Sequence, residues 1–329
     1  MTNHPSSPPI AHHIGREHGH PCWSRTIPPV RTVSSGETVT FDTIDSSSGQ
    51  ITPTSDAATL RAFDTSQANP VFGPVWIRDA QPGDVLRVEV VALETADWGW
   101  TAIIPNFGLL ADEFLDPVLR IWRLDPEVRR VRFGDSGISV PLRPFLGCMG
   151  VAPATDEALS TVPPTHAGGN LDCRELTVGA AVSLPVQTAG ALFSCGDGHA
   201  AQGHGEVCGT AIETPMRATL RFVLYKDQPW VTTPHYETPP QRLEVQSDET
   251  SGRYAVMGIE DSLLGATRQA VRSLIRWLVE VKGLTRTDAY MLASVAGDLQ
   301  VVQAVNMPQY SASMSLSLGI FNETGMNSG

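Results

Sequence analysis

The sequence predicts a mainly β protein, with a sandwich-like or barrel-like body and a smaller α+β portion at its C-terminus. Alternating segments bounded by turn residues, one long helical stripe near the C-terminus and the lack of a βαβ rhythm favour this fold class. The chain has 329 residues, of which 41% are hydrophobic, so it is large enough to bury a core. We expect an N-terminal arm at 1–30, a β-rich domain at 31–225 and an α+β portion at 226–329 packed on it.

The β-rich part begins with two clear strand patterns. The segment GETVTFDTID, at 36–45, alternates residue types and ends at a Ser/Gly turn. The segment QPGDVLRVEVVALE, at 81–94, opens with a Pro-Gly turn, and period two then places Leu86, Val88 and Val90 on one face. Both patterns predict strands of a sheet.

The next region is less regular. Residues 97–135 mix Trp, Pro and Gly with few periodic stretches, and they predict long connections over the sheet. Short strands broken by prolines are expected near 137–152. Several aromatic residues of the first region are candidates for the wall of a pocket, although packing is the commoner use of each one: Trp98, Trp100, Phe107, Phe114 and Trp122.

Two helices and a strand are predicted for the C-terminal portion. Apolar residues recur at helical spacing over 261–282, and Gly283 is placed to end that helix. The stripe consists of Leu263, Ala270, Val271, Leu274, Ile275, Leu278 and Val281. A shorter helix is expected at 285–296, with Asp288 in the capping-box position. The segment DLQVVQAVN, at 298–306, predicts a strand.

Composition argues against several classes of partner and location. The net charge is −12 and Lys and Arg form no block, so a nucleic-acid partner is not expected. No apolar run approaches the about 18 residues of a membrane span, and the N-terminus lacks the pattern of a secretory signal. The five cysteines are odd in number and lack CxxC spacing, so we expect reduced thiols in a cytoplasmic protein.

One segment concentrates side chains that bind metals. The stretch SCGDGHAAQGHGEVCGTAIET, at 194–214, interleaves glycines with Asp197, His199, Gln202, His204 and Glu206. Carboxylates and imidazoles are the usual oxygen and nitrogen ligands of divalent cations. The glycines allow positive φ, which would bend these side chains toward one point. We therefore predict a metal site with Asp197 and His199 as ligands; the alternative is that both only cap turns.

Glu206 is the next candidate of this segment. If VCGTAIE, at 207–213, continues as a strand, period two puts Glu206 and Glu213 on opposite faces. Glu206 would then share the space of Asp197 and His199 as a ligand or a general base. Glu213 would point away unless the strand bulges.

A second glycine-bearing segment lies upstream. In HAGGNLD, at 166–172, Asn170 can offer a carbonyl oxygen to a metal or an amide donor to a developing oxyanion. Asp172 can ligate a cation or orient a histidine. One short predicted strand, LPVQTAGALF, separates this segment from the loop at 196–206. A hairpin would therefore bring the two loops together.

Cysteine chemistry is an alternative to the metal. Cys195 and Cys208 flank the glycine-histidine run. A catalytic cysteine needs a base and a lowered pKa, and His199 or His204 could provide the base. The sequence alone leaves this thiol mechanism open.

Several segments together resemble the acetamidase/formamidase family. They are GETVTFDTIDSSSGQ, NPVFGPVWIRDAQPGDVLRVEV, GGNLDCREL, LPVQTAGALFSCGDGHAAQGHGEVCGTAIE and AYMLASVAGDLQVVQAVN. The resemblance implies a β-rich, metal-associated homo-oligomer. It also implies hydrolysis of small amides, and in some relatives of a γ-lactam, to an acid and ammonia or an amino acid.

The sequence departs from the family pattern at one candidate ligand. His204 stands where relatives usually have Asp, giving GHGE in place of GDGE. A neutral imidazole would favour zinc over calcium, provided that it ligates at all. We therefore expect a divalent metal, with zinc as the first candidate and calcium as the second.

The chemistry of amide hydrolysis suggests a role for each of these residues. Asp197 and His199 would hold the ion, and Glu206 would take a proton from water and pass it to the leaving nitrogen. Asn170 and Asp172 would lie near the oxyanion or behind the ligands. A non-enzymatic β-sandwich that binds a metal and a small ligand such as a sugar is the alternative from another class.

Overall fold

The structure of the protein is a computed structural model that describes residues 12–125, 127–133, 139–239 and 252–321. Its strands are β1 (His12–Ile14), β2 (Gly19–His20), β3 (Cys22–Trp23), β4 (Arg31–Val33), β5 (Thr38–Thr43), β6 (Val71–Ile77), β7 (Val85–Thr95), β8 (Trp98–Ile103), β9 (Val118–Arg123), β10 (Arg130–Arg132), β11 (Ser139–Pro141), β12 (Phe145–Gly150), β13 (Leu159–Ser160), β14 (Gly168–Asn170), β15 (Ala181–Pro185), β16 (Phe193–His199), β17 (Met216–Tyr225), β18 (His235–Thr238), β19 (Arg253–Glu260), β20 (Gly297–Gln303) and β21 (Tyr310–Ser317). Its α-helices are α1 (Ala57–Arg61), α2 (Leu263–Lys282) and α3 (Arg286–Ala296), and short 3-10 helices span Arg16–His18, Thr65–Gln67 and Leu318–Phe321.

Two large sheets dominate the architecture, and the predicted mainly β class is confirmed. The larger sheet has the strand order β1-β5-β17-β7-β15-β18-β19-β21-β20, and its neighbours are antiparallel except for β1 and β5. The smaller sheet has the order β14-β12-β16-β6-β2, with β4 parallel to β6. Strands from the C-terminal portion thus continue the larger sheet, while the boundaries at 30/31 and 225/226 stay predictions.

Aromatic side chains fill the space between the sheets. Phe193 of the smaller sheet packs edge-on against Phe41 and Phe222 of the larger one, with ring centroids 6.2 and 5.0 Å apart. All three rings are fully buried, and burial of each stabilises the fold by about 2 kcal/mol. The residues predicted to share one face of β7 are buried in this same core: Leu86, Val88 and Val90.

The predicted long helix is confirmed as α2, which begins two residues later than expected. Ser262 caps its N-terminus by accepting a hydrogen bond from the backbone N–H of Gly265 at 3.1 Å. Gly283 ends it with φ at 69°, a left-handed conformation that glycine adopts without steric cost. The predicted shorter helix is confirmed as α3, and the following strand as β20.

The buried face of α2 differs from the predicted stripe. Leu263 and Val281 are exposed at 39% and 43%. Trp277, which the stripe left out, stacks on Tyr254 of β19 with ring centroids 3.9 Å apart. Trp277 follows Leu274 by three positions, so helical spacing itself places it on the buried face. The exposed members of the stripe lie at its two ends.

Two other expectations are wrong. The region at 97–135 contains the antiparallel hairpin of β8 and β9, where long connections were expected. The segment at 207–213 contains no strand, because positive φ at Glu206 (49°) and Gly209 (87°) turns the chain repeatedly.

The described part of the N-terminal arm lies against both sheets. β1 pairs with β5 of the larger sheet, and β2 pairs with β6 of the smaller sheet. His4 of the expected arm lies outside the described residues. None of the helices in the described ranges is long and apolar enough to cross a membrane.

We predict that His235 makes stability fall in weak acid. The side chain is fully buried on β18, and burial together with the charge of Arg276 lowers its pKa to about 3. The unfolded chain therefore binds an extra proton between pH 6.5 and 3, so stability is complete above pH 6.5 and decreases as pH falls. In urea unfolding, the stability advantage of the wild type over His235→Gln should shrink by about 2 kcal/mol between pH 7.5 and 5.

His18→Gln provides the control, because this half-exposed histidine lies on a surface 3-10 helix. Parallel pH curves for the wild type and His235→Gln would contradict the prediction, because they would show that folding does not lower the pKa of this imidazole.

Candidate active site

The candidate site lies at one end of the smaller sheet, where three adjacent strands bring the two glycine-bearing segments together. Cys148 of β12 pairs with Asn170 of β14 on one side and with Gly196 of β16 on the other. The predicted proximity is therefore correct, but the expected hairpin is not its cause. β15, which lies between the segments in sequence, belongs to the other sheet.

The glycines of β16 serve close packing. A Cβ atom on Gly196 would lie 2.5 Å from the carbonyl oxygen of Pro70, and one on Gly198 would lie 2.6 Å from that of Thr214. Positive φ occurs instead at Asp197, at 59°. The expectation that these two glycines supply the bend is thus corrected: they admit neighbouring backbone, and the carboxylate residue itself bends.

His199 is the centre of a buried polar cluster. Its Nε2 lies 3.2 Å from Asp197 Oδ1 and 3.2 Å from Glu213 Oε2. Its Nδ1 lies 2.8 Å from Gln202 Oε1, and Gln202 Nε2 donates to the carbonyl oxygen of Asp172 at 2.9 Å. Because that carbonyl accepts only, Gln202 must present its own oxygen to the ring. Nδ1 therefore carries a proton, and Nε2 faces the two carboxylates.

Asp172, two residues after the end of β14, faces the same cluster. Its Oδ2 accepts a hydrogen bond from Asn306 Nδ2, whereas its Oδ1 is buried without a hydrogen bond. A Cβ atom on Gly147 would lie 2.6 Å from Asp172 Oδ1 and closer still to Asp197 Oδ2. Two carboxylate oxygens therefore occupy the space that a side chain at position 147 would need.

Glu206 and Glu213 complete the cluster. Side-chain atoms of Asp172, Asp197 and His199 lie within 4.8 Å of one another, as do those of His199, Glu206 and Glu213. The expectation that Glu213 points away is wrong, because the chain does not follow strand periodicity there. Its carboxylate accepts hydrogen bonds from Ser46 Oγ at 2.7 Å and from the backbone N–H of Ala211 at 2.8 Å.

The crowding of buried carboxylates controls their protonation. Burial raises the pKa of Asp197 to about 7, although the charge of His199 opposes the shift. Burial and the nearby charge of Asp172 raise the pKa of Glu206 well above its usual value. Burial works against the charged form of His199 too, but the charges of Glu213 and Asp197 outweigh it and raise the pKa of the ring.

His204 lies apart from this cluster. Its Nε2 is 3.5 Å from Glu175 Oε1, and Arg143 binds the same carboxylate through two hydrogen bonds of 3.2 and 2.6 Å. Burial opposes ionisation of Glu175, yet His204 and Arg143 hold the pKa of that carboxyl down at about 2. His204 is in neither group of potential metal ligands, and its role as a ligand stays a prediction.

The cluster opens into a cavity of about 340 Å³. Apolar walls come from Phe63, Trp100, Ile104, Pro105, Phe107 and Val162, and polar groups from Ser46, Asn69, Asn106, Asn170, Asp197, Glu206, Thr210, Glu213 and Asn306. Of the aromatic residues considered from sequence, Trp100 and Phe107 line this cavity, while Phe114 is half exposed. Asp45 fixes the Trp100 indole by accepting its N–H at 2.9 Å.

Sequence reasoning missed several residues of the site. Asn306, Gly147 and Asp45 were not predicted as site residues, and Glu213 was expected to point away from the site. Asn306 ends the segment 298–306 that resembles the family, which was the available signal for it.

The two cysteines considered for a thiol mechanism lack its geometry. Cys195 is fully buried, and burial raises its thiol pKa well above the usual value, which disfavours a thiolate. Cys208 donates a hydrogen bond to the carbonyl oxygen of Thr210 at 3.4 Å. Neither is within hydrogen-bonding reach of His199 or His204 among the described residues.

Comparison with known proteins identifies the family. The model of the acetamidase/formamidase family matches residues 10–156 and 153–323, which is nearly the whole chain. This chain therefore belongs to the acetamidase/formamidase family.

Three relatives illustrate the similarity. A formamidase of Methylophilus methylotrophus is 29% identical over 262 residues, a match that spans 63% of this chain and only 64% of the formamidase. An acetamidase of Mycolicibacterium smegmatis is 24% identical over 355 positions, covering 83% and 84% of the two chains. The crystal structure of an acetamidase from Bacillus halodurans has a TM-score of 0.86 and 29% identity, covering 95% of this chain and 99% of that one.

We predict that Gly147→Ala destabilises the protein by about 1–3 kcal/mol, because the added methyl would press on two buried carboxylate oxygens. The measurement is the free energy of unfolding in urea. Gly203→Ala is the matched control, since a Cβ atom there meets nothing within 4 Å and its φ is not positive. Equal stability of the two variants would mean that the carboxylates can move away from Gly147.

Proposed function

We propose that this chain, a member of the acetamidase/formamidase family, hydrolyses a short-chain amide to a carboxylic acid and ammonia with water and a divalent metal. The observation that carries the proposal is a small cavity that is lined by side-chain amides and by Asp197, Glu206 and Glu213, the carboxylates that lie close to His199. Its volume of about 340 Å³ is at the low end of the roughly 300–1,000 Å³ of ligand pockets. Formamide and acetamide are the first candidate substrates, and a γ-lactam is the alternative.

The donor set suits a divalent cation. Asp197, His199 and Glu213 are the ligands in our proposal, because His199 Nε2 lies 3.2 Å from an oxygen of each carboxylate. Two ligands bound at about 2.0–2.2 Å to one tetrahedral ion lie about 3–3.5 Å apart, and both of these distances from His199 meet that spacing. The Nε2 atom has no hydrogen bond, and Gln202 holds the ring in the tautomer that a ligand requires. An imidazole among carboxylates favours zinc over calcium.

A cation held there would lower the pKa of water and polarise the amide carbonyl. Glu206 is our candidate for the base, since it belongs to the same cluster and lines the cavity. It would accept one proton from water while the water oxygen bonds to the carbonyl carbon. The same proton would then move to the amide nitrogen as the C–N bond breaks, so that ammonia leaves and a carboxylic acid remains.

Asn170 and Asp172 have supporting roles in this scheme. Asn170 lines the cavity beside Asp197, where its side-chain N–H can donate to the carbonyl oxygen of the substrate. Asp172 accepts from Asn306 and, through its backbone carbonyl, from Gln202, which orients His199. We place His204 outside the ligand set because it pairs with Glu175.

We predict that His199→Gln and His204→Gln differ in metal content. His199→Gln should lose at least about tenfold in affinity for the metal, because it removes the nitrogen between two carboxylates. His204→Gln should keep the wild-type metal stoichiometry. Elemental analysis of both purified variants, together with ammonia release from formamide and acetamide, measures this. Loss of metal from His204→Gln alone would restore His204 as a ligand and remove His199.

We also predict that Glu206→Gln lowers kcat by at least about a hundredfold, the scale expected for loss of a general base. Its metal content should remain that of the wild type, whereas Glu213→Gln should lose metal as well as activity. Near-wild-type ammonia release by Glu206→Gln would remove this residue from the mechanism. Metal loss in Glu206→Gln would make it a ligand instead of a base.

A further inference from the structure

Cys148 is a buried polar group that the scheme above does not use. It lies on β12, is fully buried, and is the cross-strand partner of Asn170 on β14. Its Sγ lies 2.9 Å from Asn170 Oδ1, with the thiol as donor. Cys148 therefore touches the residue that would donate to the substrate, while staying outside the cavity lining.

We propose that Cys148 is a positioning residue that fixes the Asn170 amide with its oxygen toward the thiol and its N–H group toward the amide substrate. This inference rests on the proposed function, in which Asn170 donates to the substrate carbonyl. It explains why the Asn170 amide adopts one of its two possible orientations. An asparagine amide can rotate by half a turn with little change in shape, so its direction must come from hydrogen-bonding partners.

The direction of these hydrogen bonds is set by the backbone carbonyl of Thr161, which can only accept. Asn69 Nδ2 donates to the backbone carbonyl of Thr161 at 3.3 Å, and its second hydrogen points to Cys148 Sγ at 3.5 Å. The sulfur thus accepts from Asn69, and its single hydrogen is left to donate to Asn170 Oδ1. The alternative thiol contact, to Asn69 Oδ1, would reverse the direction of these hydrogen bonds, but it is longer at 3.7 Å.

Asn170, at the other end of this series of hydrogen bonds, faces the cavity. Asn170 Nδ2 makes no hydrogen bond within the described ranges, so it is available to a ligand. In the reversed orientation Asn170 would add an acceptor oxygen to a wall that already holds the carboxylates of Asp197, Glu206 and Glu213. A substrate carbonyl would then meet an acceptor oxygen at Asn170 instead of an N–H donor.

Two kinds of replacement at Cys148 separate orientation from packing. Cys148→Ala and Cys148→Val remove the donor, one by shrinking and one by filling the site, and each should lower kcat about tenfold or more for acetamide with KM changed less than about threefold. Cys148→Ser keeps a hydroxyl that both accepts and donates, so it should stay within about threefold of the wild-type kcat. Cys195→Ala is the matched control, since it truncates another fully buried cysteine, on the adjacent strand β16, that has no contact with Asn170.

A double-mutant cycle supplies the decisive comparison. Cys148→Ala should lower kcat in the wild type but add no further loss to Asn170→Ala, because the thiol acts only through that amide. Full additivity, or equal kcat in Cys148→Ser and Cys148→Ala, would overturn the positioning role. If Asn170→Ala alone kept the wild-type kcat, the donor role in the proposed function would fail first and this inference with it. A slow Asn170→Ala beside an unchanged Cys148→Ala would refute the inference alone.

Discussion

The structure depends on one constraint, the burial of four carboxylates around a single imidazole. Asp172, Asp197, Glu206 and Glu213 contact or surround His199, and each of the five side chains is almost fully buried. An unpaired carboxylate in a protein interior is strongly unfavourable, so such a cluster must hold protons, a cation or both. The raised pKa values of Asp197 and Glu206 reflect the same excess of buried negative charge. A divalent cation would neutralise that charge.

The fold supplies the cluster with partners from distant parts of the chain. Ser46 follows β5 of the larger sheet and holds Glu213, whereas Asn306 follows β20 of the C-terminal portion and holds Asp172. These contacts join both sheets and the C-terminal segment at one point. Fixed hydrogen-bond partners hold Asp172 and Glu213 in place, which pre-organises this part of the site for a charged transition state.

The site residues that lie close together in the sequence could be predicted from it. Asp197, His199 and Glu206 lie within ten positions among glycines, and Asn170 and Asp172 lie in a similar run, so concentration alone revealed them. Glu213 was misplaced because strand periodicity was applied where positive φ at Glu206 breaks it. The helices and main strands followed from periodicity. Gly147 and Cys148 could not be found, since their partners lie 22 or more positions away and nothing local marks them.

Backbone strain follows from the same constraint. Asp172, Asp197 and Glu206 all have positive φ, at 46°, 59° and 49°, a conformation uncommon for residues with a side chain. Regular strands would alternate these carboxylates between faces, so the left-handed turns are what direct them inward together. Such strain persists only where the surroundings determine the backbone more strongly than local preference does. At Asp197 the close approach of neighbouring backbone to Gly196 and Gly198 provides that determination, so these two glycines position its carboxylate by packing rather than by flexibility.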